Sequence, residues 1–197
     1  MTENQIYRII ARFVPVLLFF ILMAGCSVPG KKLILRGSVI PDYWSEKKHK
    51  IPPHKKRGVI DALEKVRQKS ASGGSLESLG ISTLKEAVVL LEEPKAAAPF
   101  IADAIACKNL WNGRNGGAYY WKFRYWCVDM AGYLNDEKFA EMLFLIASGN
   151  GEKDKLRVRA VKSLREMKAR SSLKKLFLKT DNPAVREETA KALLYLD

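Results

Sequence analysis

The chain has 197 residues, 48% of them hydrophobic and 28% charged, a balance that excludes wholesale disorder. Lys and Arg number 34 against 21 Asp and Glu, for a net charge of +13, which favours anionic partners or surfaces. Two histidines and three cysteines leave little material for a metal site, and none is expected.

Residues 1–12 carry Arg8 and Arg12 against the single acid Glu3, and an unbroken apolar run follows from Phe13 to Ala24. As a helix this run reaches about 18 Å, against roughly 30 Å of hydrocarbon to cross. Pro15 interrupts it as well. A basic start, a short apolar stretch and small residues before a cut form the grammar of an export signal. Leu22-Met23-Ala24-Gly25-Cys26 resembles the bacterial lipobox. The resemblance implies a diacylglyceryl group on the Cys26 sulfur and cleavage before it, so that residues 1–25 are a signal peptide. Ser27 then favours sorting to the outer membrane, facing the periplasm, with inner-membrane retention as the alternative. Several acyl chains anchor far more firmly than one, at about 0.8 kcal/mol per buried methylene.

Residues 26–57 read as a basic tether. From Lys31 to Arg57 nine Lys or Arg face only Asp42 and Glu46, and Pro41, Pro52 and Pro53 interrupt regular structure. Leu33, Ile34, Val39 and Ile40 are expected either to form a short strand or to dock on the domain. The lysines either attract anionic headgroups or an acidic envelope polymer, or keep the linker solvated. His49 and His54 lack partners at metal-ligand spacing and read as exposed linker residues.

Helical periodicity takes over from about Val59. A first helix is expected over Val59–Lys69, with a turn at Gly73-Gly74. Leu84, Ala87, Val88 and Leu91 would face the core from the next helix, and Ile101, Ala104 and Ile105 from its partner. Three later segments align with one another. Val185-Arg186, Ala190, Ala192, Leu193 and Leu196 match Leu156-Arg157, Val161, Ser163, Leu164 and Met167, 29 residues earlier. A further 33 residues back stand Phe123-Arg124, Val128, Met130, Ala131 and Leu134. Between the copies lie helices with a 3–4 rhythm, Phe139, Met142, Leu143 and Ile146, then Leu173, Leu176 and Phe177. Asp181-Asn182-Pro183 supplies a stop and start signal. These segments resemble the HEAT-repeat superfamily, in its short bacterial form related to phycobilisome-lyase-type repeats. The resemblance implies an all-α fold over residues 58–197, a short right-handed α-solenoid of helical hairpins. Arg124, Arg157 and Arg186 recur at one position, where the expected role is structural, to loop carbonyls or to acids such as Asp181. The final helix is read as the first of an unfinished pair, an open end available for self-association or a partner.

Candidate sites are few. The loop around Lys108 to Tyr125 combines glycines with Trp111, Tyr119 and Tyr120, and reads as either a recognition surface or a packed plug. Arg159, Lys162 and Arg165 form a basic ridge that suits an acidic protein or polymer. An export signal argues against nucleic acid. Cys107 and Cys127 are either a disulfide, which export permits, or two buried free thiols, the reading that asks less of unseen geometry. Ser-x-x-Lys occurs at Ser45, Ser82 and Ser172, but without the Lys-Thr-Gly that would make it a penicillin-recognising motif. No phosphate loop, dinucleotide fingerprint or nucleophile elbow is present. The expectation is therefore a lipid-anchored, non-catalytic protein-binding scaffold of the cell envelope that needs no cofactor. A lyase-like, small-molecule-handling protein and a binder of anionic envelope polymer are the alternatives.

Overall fold

Pro52 and Pro53, interruptions in a strand or a mid-helix, are start signals when they flank a first turn, because that turn needs no amide donor. In the computed structural model, which describes residues 32–35, 38–41, 44, 50–72, 80–81, 84–106 and 120–197, helix α1 accordingly runs Pro53–Ala71. It begins inside the segment read as tether and buries Val59, Ala62, Leu63, Val66 and Ser70 along one face. Upstream, β1 (Lys32–Leu35) and β2 (Ser38–Pro41) form an antiparallel hairpin that pairs Leu33 with Ile40 and Ile34 with Val39.

The core is all-helical. After α1 come α2 (Lys85–Glu92), α3 (Pro94–Ala106), α4 (Tyr120–Leu134), α5 (Phe139–Ser148), α6 (Asp154–Glu166), α7 (Arg170–Lys179) and α8 (Pro183–Tyr195). α2 buries Ala87 and Leu90, with Leu84 buried just before its first turn, while Val88 and Leu91 are exposed, so its inward face is rotated from the one expected. α3 is buried almost all round, which its run of alanines permits by letting neighbours approach closely. Asn182 caps α8 by accepting the Val185 amide at 3.0 Å, with Pro183 in the first turn.

The helices pair in an order the sequence did not disclose. α3 packs along α4, α5 along α6, and α7 along α8, whereas α5 touches α4 only slightly. α8 is thus the second helix of a pair and not the first of an unfinished one. Arg170, at the start of α7, holds the end of α8 by an ion pair to Asp197 and a 3.0 Å bond to the Leu196 carbonyl. Successive pairs also meet: α4, α6 and α8 form one row, and α5 contacts α7. The α4–α6 contact is close, since a Cβ on Gly132 would lie 2.9 Å from the Ser163 Cα. Ser163 Oγ donates to the Val128 carbonyl at 2.9 Å across the same seam.

The three recurrent arginines explain the pairing. Arg124 donates to the Ile105 carbonyl (2.8 Å), Arg157 to that of Ala147 (3.0 Å) and Arg186 to that of Thr180 (2.7 Å). Each guanidinium thereby satisfies an orphan carbonyl at the C-terminal end of its own partner helix, where a cation also opposes the helix dipole. Arg124 goes further: it forms a two-bond pair with Glu152 at 2.8 and 2.7 Å, both side chains buried. Four residues before Ala131, Leu164 and Leu193 stands a matching position that the alignment passed over, Cys127, Ala160 and Thr189, each fully buried.

The segment read as tether is docked through Trp44. Its indole is buried, lies 4.7 Å from the Phe139 ring, and donates from Nε1 to Asp136 Oδ2 at 3.1 Å. The β hairpin meets α3 and α5 nearby.

Candidate partner-binding face

Helix geometry places residues four apart on one stripe, and on α4 that stripe carries Tyr125, Asp129 and Tyr133. α6 lies beside it and presents Arg159, Lys162 and Arg165. On the other side of α6, α8 supplies Tyr195. The result is a polar-aromatic strip crossing the row α4–α6–α8.

Its contacts are specific. Arg159 Nη2 reaches Asp129 Oδ2 at 2.5 Å, and the same guanidinium sits 5.2 Å from the Tyr125 ring centroid. Arg165 bonds Glu166 at 2.7 Å and lies 5.0 Å from the Tyr195 ring. Cation–π contacts of this kind fix both the arginine and the ring. Tyr133 and Tyr195 are largely exposed. Burial pushes the Asp129 carboxyl above its ordinary value, with Arg159 pulling the other way. Desolvation, then the charges of Asp129 and Glu166, likewise raise the Tyr133 phenol. Arg159 Nε is buried and makes no hydrogen bond among the described residues.

No family model, curated protein or solved structure matches the chain.

Of the residues singled out from sequence, Arg159, Lys162 and Arg165 fall together on α6, on the strip. The ridge they form is not a bare cationic surface, because Arg159 and Arg165 each hold an acid. Tyr120 opens α4, while Trp111, Tyr119 and Cys26 lie outside the described residues. So does Cys107, and Cys127 is a free, buried thiol that burial pushes well above its usual pKa. His54 is exposed in the first turn of α1. Phe177, expected inside, is half-exposed. Sequence reasoning missed Asp129, Glu152, Trp44, Tyr133 and Tyr195. Asp129 had a signal, as the one acid in α4 and four residues from a tyrosine on either side. Among the described residues no group of three or more His, Cys, Asp or Glu is placed to hold a metal, and no helix is long and apolar enough to cross a membrane.

Proposed function

We propose that this chain is an envelope lipoprotein, anchored through acyl chains on Cys26, whose helical array is a HEAT-like solenoid acting as a non-catalytic protein-binding scaffold. Stacked pairs tied by a recurrent arginine support the repeat reading, since such units bury their apolar faces only against neighbours. The observation that carries the binding reading is the strip of exposed Tyr133, half-buried Arg165 and exposed Tyr195 spanning three helices. Tyrosine and arginine are the side chains that concentrate binding energy at protein interfaces. Because Arg159 and Arg165 are engaged with acids, the strip suits a protein surface of mixed charge better than a polyanion. Trp111, Tyr119 and Tyr120 are proposed as further contact residues on their aromatic character in the sequence alone. Ser27 after the anchor favours the outer membrane, with the array facing the periplasm.

Crosslinking in intact cells followed by affinity purification tests this reading, with Cys26→Ala as the control for anchoring. One stoichiometric envelope protein is expected from the wild type. A variant carrying Tyr133→Ser, Arg165→Glu and Tyr195→Ser should lose it by roughly 30-fold or more, at unchanged helicity. Undiminished recovery with that variant would refute the strip. A wild-type chain that takes up no fatty-acid label would refute the anchor.

A further inference from the structure

Part of the basic stretch read as tether is the wall of a cleft. α1 begins at Pro53 and α3 at Pro94, and the two helices pack together. Between their first turns lies an open cleft of about 360 Å³. Ile51, Pro52 and Ala96 give it an apolar lining, and Lys50, Lys55 and Lys95 stand around it with Glu93 as the one acid. Lys55 is neutralised by Glu93 at 2.6 Å. Lys50 and Lys95 are exposed, and neither holds an acid among the described residues. The charges just outside the cleft balance. Lys56 and Arg57 follow on α1, Asp61 lies one turn beyond Arg57, and Glu92 ends α2. The cleft itself is therefore left with two uncompensated ammonium groups.

Two cations beside an apolar lining suit a ligand with an anionic head and a hydrocarbon body. A phospholipid has both parts, whereas inorganic phosphate has only the first. The chain supplies proximity as well. β1, which leads back toward Cys26, packs on α3, the helix that presents Lys95. Six residue steps join Cys26 to Lys32, and an extended chain covers at most about 3.6 Å per step, so roughly 20 Å in all. Acyl chains on Cys26 would thus hold β1 within that reach of the lipid headgroups, inside which lysines are drawn to an anionic surface.

We propose that this cleft receives the phosphate of an anionic phospholipid, with Lys50 and Lys95 as its cations, and so sets which side of the helical array meets the membrane. The site rests on the anchoring at Cys26 for its proximity to lipid. It is separate from the strip on α4, α6 and α8.

Amine acetylation of the full chain on vesicles, read lysine by lysine by mass spectrometry, tests it. Vesicles of equal parts phosphatidylglycerol and phosphatidylcholine are compared with phosphatidylcholine alone. Phosphatidylglycerol should slow acetylation of Lys50 and Lys95 by about tenfold, an effect that high salt removes. Lys174 and Lys179, exposed on α7, should react equally on both. Lys95→Glu, a change at an exposed site, should abolish the protection of Lys50. Unslowed Lys50 and Lys95 in the wild type overturn the proposal. So does equal slowing of Lys174 and Lys179, which would report only the general attraction of a cationic chain. Equal protection by inorganic phosphate over phosphatidylcholine would assign the cleft to a soluble anion and overturn the lipid. Fatty-acid labelling reads the anchor separately. A labelled chain without the protection loses the cleft alone, and an unlabelled chain that shows it loses the anchor alone.

Discussion

The Arg124–Glu152 pair shows how one position can hold two units together. Both side chains are buried, so removing either leaves a charge without a counterpart in a poorly solvated place. Glu152→Ala should cost about 3–5 kcal/mol, read as a fall in the urea midpoint at unchanged m-value. Asp129 has the opposite character. Its carboxyl is raised by burial, so the folded chain binds the proton more tightly than the unfolded chain does. The associated stability is complete below the unfolded pKa and is lost as pH rises through the elevated folded value. Asp129→Asn keeps a neutral group there at every pH. Its stability relative to wild type should therefore increase with pH across that window, and urea titrations at several pH values would show it. A constant difference would mean the carboxyl is held by Arg159 without net cost.

Much of each helix was legible because burial leaves a 3–4 rhythm. Phe139, Met142, Leu143 and Ile146 are all fully buried as their spacing required. What periodicity cannot encode is which flank of a helix has a neighbour. Val88, Leu91 and Phe177 fit a buried stripe yet are exposed, because no described element covers that side. The recurrent arginines were visible as a repeat, but the acceptors were main-chain carbonyls on the preceding helix, and backbone groups carry no sequence signature. Hence the pairing of α7 with α8 was read in the wrong frame. The α4–α6 seam depends on a residue with no side chain to notice. Gly132→Ala would put a methyl 2.9 Å from Ser163 backbone, forcing the helices apart. The expected loss is about 1–3 kcal/mol, despite the gain in helix propensity, and thermal unfolding would measure it.

Across the assembled chain, Trp44 and the β1–β2 hairpin belong to the same folded unit as the helices. Trp44 buries its indole against Phe139 and bonds Asp136 in the turn between α4 and α5. Trp44→Ala should cost about 3–5 kcal/mol for the lost packing. Urea unfolding would measure it, and an unchanged midpoint would show that the buried indole contributes no net packing. In the sequence this tryptophan was hidden among charged residues, with nothing to mark it as a docking point.

The bond from Arg124 to Glu152 reaches 28 positions ahead, and that span sets a minimum on what can be cut away. A fragment ending before residue 152 would contain all of α3, α4 and α5, yet strand a guanidinium in an oily interior. The pairs are therefore not interchangeable bricks. Deletion or duplication would have to respect a joint lying beyond Glu152, and a nascent chain gains its first neutralised unit only when that carboxylate has emerged.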